Sequence, residues 1–93
     1  MTYFAVILPA LNPELGPVYL EAHIAYLDRL RSEGKVAANG RLLDGPGGLV
    51  IYKGDSLEEV KLLVEQDPFI IHKVRSFEIY EWAVKWAEDA LSI

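Results

Sequence analysis

Apolar spacing along this chain switches from a period of two to one of 3.6 and back, and then does so again. That alternation limits the fold more than any single motif. Residues 2–8, TYFAVIL, form a β-branched and aromatic run that PALNPELGP stops, so a strand and a Pro-rich loop are predicted. Pro17 suits the first turn of a helix, where its missing N–H costs nothing. The helical stripe then runs to about Glu33, with Gly34 as its left-handed cap. KVAANGRLL (35–43) and GGLVIYK (47–53) flank the turn-rich DGPG and read as a hairpin. SLEEVKLLVEQ (56–66) opens with Ser56 and has Glu59 three residues on, a capping box. Asp67-Pro68 ends that helix, because the residue before proline is pushed out of the α region. VRSFEIYEW (74–82) is the last strand, and AVKWAEDAL (83–91) a short C-terminal helix.

The order β-α-β-β-α-β predicts an α+β, ferredoxin-like fold: a four-stranded antiparallel sheet with two helices on one face. Ninety-three residues make one domain, 1–93, burying roughly 60–65% of the unfolded surface. In the first strand Tyr3, Ala5 and Ile7 point one way and Phe4, Val6 and Leu8 the other, so both faces of the sheet are apolar. Two coverings for the helix-free face are open. The terminal helix, with Trp86 and Leu91, folds over it, or a second copy packs sheet on sheet. The homodimer is the preferred expectation, because nine helical residues cover too little of four strands.

Charge and composition exclude several function classes. The net charge is −5, and the nine Lys and Arg are scattered, which opposes nucleic-acid or anionic-membrane partners. No apolar run reaches membrane-spanning length, and the N-terminus lacks the basic region of a signal peptide. There is no cysteine, hence no disulfide, thiolate metal site or thiol nucleophile. A cytoplasmic protein is expected.

One residue breaks the first helical stripe. At ~100° per residue, Tyr19, Leu20, Tyr26, Leu27 and Leu30 all fall within about 60° of His23, which therefore faces the sheet. Burial disfavours an imidazolium unless a carboxylate supports the proton, and a buried ring needs hydrogen-bond partners. A structural core histidine bonded to Tyr19, Tyr26 or a carbonyl is one reading, and a chemical centre is the other. The second unusual residue is Asp67, a carboxylate at a helix C-terminus, where the partial charge of the last carbonyls is unfavourable. A simple Asx turn explains it locally. A functional role requires it to reach His23, where it would fix the tautomer. His72 and His23 lack metal-ligand spacing, so no metal is expected. The DGPGG stretch at 44–48 precedes a strand and lacks the mechanics of a phosphate loop. In the second strand Val36, Ala38, Gly40 and Leu42 share a face, and small Ala38 and Gly40 would leave space opposite His23.

The segments AHIAYLDRLRSEGKVAANG (22–40) and VEQDPFIIHKVRSFEIYEW (64–82), in this order and separation, resemble the YciI-like family of small dimeric ferredoxin-like proteins. The resemblance covers most of the chain, and its anchors are the helix histidine and the Asp-Pro-aromatic that follows the second helix. It implies a His–Asp catalytic pair, which maps onto His23 and Asp67. It also implies a kinship with a dehydrochlorinase of chlorinated hydroxyhydroquinone and, more widely, with muconolactone isomerases of the dimeric α/β-barrel group. Two departures stand out. Many relatives carry arginine where this chain has Leu20, which weakens an anionic-substrate assignment. The segment after DPF is IIHKV, not small and glycine-containing, so Ile71 and His72 would narrow the pocket.

These readings converge on a cofactor-independent acid–base enzyme acting on a small ring compound by elimination, isomerisation or hydrolytic dehalogenation. His23 is the expected base or acid and Asp67 its partner. Tyr19, Tyr26, Ala38, Gly40, Phe69 and His72 are the expected pocket residues. A non-catalytic ligand-binding or purely structural homodimer is the alternative.

Overall fold

The computed structural model describes residues 2–88. Its elements are β1 (Thr2–Leu8), a 3₁₀ turn (Pro13–Leu15), α1 (Gly16–Ser32), β2 (Val36–Arg41), β3 (Gly48–Gly54), α2 (Leu57–Glu65), α3 (Pro68–Ile71) and β4 (Glu78–Trp82). The sheet order is β2-β3-β1-β4, antiparallel throughout, which is the ferredoxin-like arrangement. Each β-α-β crossover skips one strand position, and the skipped position is filled by a central strand of the other unit.

Local signals account for most boundaries. Gly34 adopts φ +75°, the left-handed conformation that a β-carbon disfavours, and it closes α1. Ser56 caps α2 by accepting a hydrogen bond from the Glu59 amide at 3.1 Å. The Glu59 carboxylate reaches back to the amide of Asp55 at 3.0 Å, one residue earlier than the usual capping box.

Phe4, Val6 and Leu8 of β1 and Val50 and Tyr52 of β3 are buried against Tyr26, Leu27 and Leu30 of α1 and Val60 and Val64 of α2. Burying each large aliphatic side chain contributes about 1.5–3 kcal/mol. The pairing of Phe4 with Tyr52 and of Val6 with Val50 puts these side chains on one face. The opposite face carries Tyr3, Ala5 and Ile7, with Tyr80 and Trp82 of β4 exposed. Trp86 packs edge-on against Tyr3, ring centroids 5.6 Å apart. Of the helix expected over 83–91, residues 83–86 have no regular structure. Residues 89–91, including Leu91, lie outside the described residues.

Three expectations are corrected. Asp67-Pro68 does end α2, but it also starts α3, because an extended residue followed by proline is equally a helix N-cap. The strand expected from residue 74 begins at Glu78. Val74 and Arg75 instead direct their amides to the Phe69 carbonyl, and Arg75 forms an isolated bridge with Ala10. Finally, β2 shifts register between Val36 and Ala38. Val36 pairs with Tyr52 on the helix side, whereas Ala38 and Gly40 pair with Ile51 and Leu49 on the open side. The bulge therefore directs Asn39 and Arg41 towards α1.

The core also carries a pH dependence. Burial, and then the charge of Asp67, pushes the Tyr52 phenol well above its ordinary value, and Tyr26 is raised by the same two causes in the same order. Both groups ionise more readily in the unfolded chain, so their contribution is complete below about pH 10 and is lost as pH rises beyond it. The unfolding free energy from urea titrations should hold steady up to that point and then fall, by about 1.4 kcal/mol per pH unit for each tyrosine still neutral in the fold. A midpoint unchanged to pH ~11 would contradict the buried phenols.

Candidate active site

The site is assembled from α1 and the short α3. Pro68 drives Asp67 into an extended conformation (φ −62°, ψ 127°), and the Asp67 carboxylate Oδ1 accepts a hydrogen bond from the Phe69 amide at 2.9 Å. The carboxylate thus sits at a helix N-terminus, not unfavourably at a C-terminus as the sequence suggested. The same Oδ1 lies 2.7 Å from Nδ1 of His23, and the two residues are 1% and 7% exposed. Against an ionised carboxylate, which only accepts, a neutral ring donates from Nδ1 and leaves Nε2 as its free nitrogen. The other oxygen, Oδ2, is buried with no hydrogen-bond partner among the described residues.

Two stacked aromatic pairs fasten α3 to α1. Phe69 lies flat on His23, centroids 4.0 Å apart and planes 4° from parallel. His72 lies on Tyr19 in the same way, at 3.9 Å and 5°. Spacings of four residues on α1 and three on α3 bring both pairs into line. Stacking fixes the plane of the His23 ring, and the Asp67 bond fixes its rotation.

His23 lines a cavity of about 210 Å³ between α1 and the β2–β3 end of the sheet, walled by Leu8, Leu20, Leu27 and Val50 and rimmed by Asn39 and Arg41. A second hollow of about 340 Å³, lined by Pro13, Pro17, Phe69 and Val74, shares Leu20 and Arg75 with the first.

Among the expected pocket residues, Gly40 lines the first cavity and Phe69 the second. Ala38 lies on the opposite sheet face because of the bulge, lining a separate hollow. Tyr26 donates to the Leu63 carbonyl at 2.6 Å and so ties α1 to α2, away from the cavity wall. Tyr19 and His72 are absent from both walls and are engaged with one another.

The sequence reading missed Arg75. Its guanidinium carbon stands 4.9 Å from the centre of the Phe69 ring, and a β-carbon at Gly48 would lie only 2.7 Å from its Nη1. Nothing local marks that arginine, because its direction follows from the backbone turning back onto Phe69. Among the described residues no three His, Asp or Glu side chains gather as a metal cradle, and no helix is long and apolar enough to cross a membrane.

Fold and site together define a ferredoxin-like protein with a buried imidazole–carboxylate couple beside a cavity. The YCII-related domain profile matches residues 11–83, and the chain belongs to that family. It is 28% identical over 83 residues to the uncharacterized protein YjpA of Bacillus subtilis (strain 168), a match spanning 89% of this chain and 98% of the relative. It is also similar to the solved structure of 5-chloro-2-hydroxyhydroquinone dehydrochlorinase (TftG) from Burkholderia phenoliruptrix AC1100, in complex with 2,5-dihydroxybenzoquinone. That match has a TM-score of 0.69 at 24% identity, and it covers 88% of this chain and 95% of the other.

Proposed function

We propose that the protein is an acid–base enzyme in which His23 Nε2 removes a proton from a small ring compound held in the cavity, with Asp67 as the positioning residue. The observation that carries this reading is the buried 2.7 Å contact between His23 and Asp67 beside a hollow that His23 itself lines. A carboxylate on Nδ1 holds the tautomer that leaves Nε2 basic, and it supports the positive charge formed when Nε2 takes a proton. Proton removal is the step shared by elimination, isomerisation and water activation. The imidazole supplies it without a cofactor. The similar fold of a dehydrochlorinase that binds a dihydroxybenzoquinone favours elimination from a halogenated, hydroxylated ring.

The test is a turnover screen of wild-type protein and His23→Gln against halogenated hydroquinones and ring lactones, following halide release and product mass. Turnover by the wild type that the variant lacks is expected. A fully active variant, or ligand saturation without product across the panel, would replace this reading with a binding module.

We further propose that a second copy covers the open sheet face. Tyr80 and Trp82 there are 54% and 42% exposed, and a stable interface hides about 800 Å² per partner. Light scattering at micromolar concentration should give twice the 10.4 kDa chain mass. A monomer mass would contradict the dimer.

A further inference from the structure

Among the described residues Arg75 rests its guanidinium on the Phe69 ring but meets no acidic partner. Its guanidinium is half-buried, yet among the described residues it has no carboxylate within ion-pair distance and donates no side-chain hydrogen bond. Burial pulls its proton affinity down, and the more distant Asp67 charge offsets that only in part. A half-buried guanidinium loses part of its hydration, and an anion reaching it would restore the lost hydrogen bonds.

The surroundings indicate what would pair with it. Arg75 is on the wall of both hollows, which among the described residues share Leu20 besides. Among the described residues no acidic side chain lines either hollow, whereas Arg41 joins Arg75 on the first. The cavity wall is therefore cationic in a chain of net charge −5. Gly48 lets the guanidinium pack close to the backbone of β3, since a β-carbon there would stand 2.7 Å from Nη1 and push the side chain aside. Phe69 lies under both His23 and Arg75, so the base and the cation are set by one ring.

We infer that Arg75 is the anion anchor of this pocket, and that the ligand is a small flat ring bearing a carboxylate. The planar guanidinium fork matches a carboxylate through two parallel N–H···O bonds. The apolar side chains of Leu8, Leu20 and Val50 take the ring. A carboxylate held at Arg75 directs the far edge of the ring to His23, and this deepens the acid–base reading by naming its substrate class. The binding claim stands on Arg75 alone. Only the identity of the reacting atom rests on the His23 reading. The anionic preference that Leu20 seemed to argue against is thus restored from another part of the chain.

The test is an NMR titration of the full chain with benzoate and with benzamide, its neutral isostere, at constant ionic strength. Benzoate should perturb the Arg75 Nε–H and the amides of Gly40 and Gly48 saturably. Benzamide should bind at least about tenfold more weakly. Arg75→Gln should reduce benzoate affinity about 10- to 100-fold and leave benzamide unchanged, with Arg75→Lys between the two. If the glutamine variant does not fold, the lysine variant and the benzoate–benzamide ratio decide. His23→Gln should keep benzoate binding, so a failure of the catalytic reading leaves this result standing. Equal affinity for the two probes, unchanged benzoate binding in Arg75→Gln, or no saturable benzoate shift at these positions would each overturn the inference.

Discussion

Asp67→Ala should destabilise the fold by about 3–5 kcal/mol, the cost of breaking a buried pair from one side. Two losses combine in that figure. The Nδ1–H of His23 would be left buried with no acceptor, and α3 would lose its cap, itself worth about 1 kcal/mol. A chain of this size has only about 5–15 kcal/mol in total, so the variant should unfold at much lower urea. Asp67→Asn retains an oxygen for Nδ1 and for the Phe69 amide, and its loss should be nearer 1–2 kcal/mol. The contrast is diagnostic: a simple Asx turn at the surface would hold the alanine loss to about 1 kcal/mol and leave asparagine near neutral.

His23→Gln should show the opposite profile, with little loss of stability and a large loss of rate. Glutamine can still donate to Asp67 Oδ1 and still lie against Phe69, so the unfolding free energy should change by no more than ~1 kcal/mol. Nothing in glutamine can take a proton near neutral pH. On a substrate found by the screen, kcat should fall about 10²- to 10⁴-fold, the usual contribution of general base catalysis, with KM little changed. If kcat holds while KM rises, His23 is only a binding residue. If stability collapses, it is a core residue whose imidazole the packing requires.

Most of the scaffold could be read from the letters because its signals are local. Pro17, Gly34 and the Ser56–Glu59 pair each mark a helix end within one turn, and DGPG marks the hairpin. The inward direction of His23 also followed from helical spacing, and His23 is buried. What was illegible depends on residues far apart in sequence. His23 and Asp67 are 44 positions apart, and the family resemblance alone implied their pairing. No local pattern showed it, because their meeting depends on α3, which the Asp-Pro signal hides as the same dipeptide both stops and starts a helix. The bulge at Val36–Ala38 inverts a two-residue alternation that looked regular, and so it moved Ala38 off the site and brought Asn39 and Arg41 towards it. Arg75 belonged to no pattern at all. Only the amides of residues 74 and 75 turning onto the Phe69 carbonyl place it over that ring.

The most direct test needs no substrate. Long-range ¹H–¹⁵N correlation of the histidine rings, recorded at a pH where His23 is neutral, reports which nitrogen carries its proton. The account predicts a single dominant form with the proton on Nδ1 and a bare Nε2. A wild-type ring protonated mainly on Nε2 would contradict it.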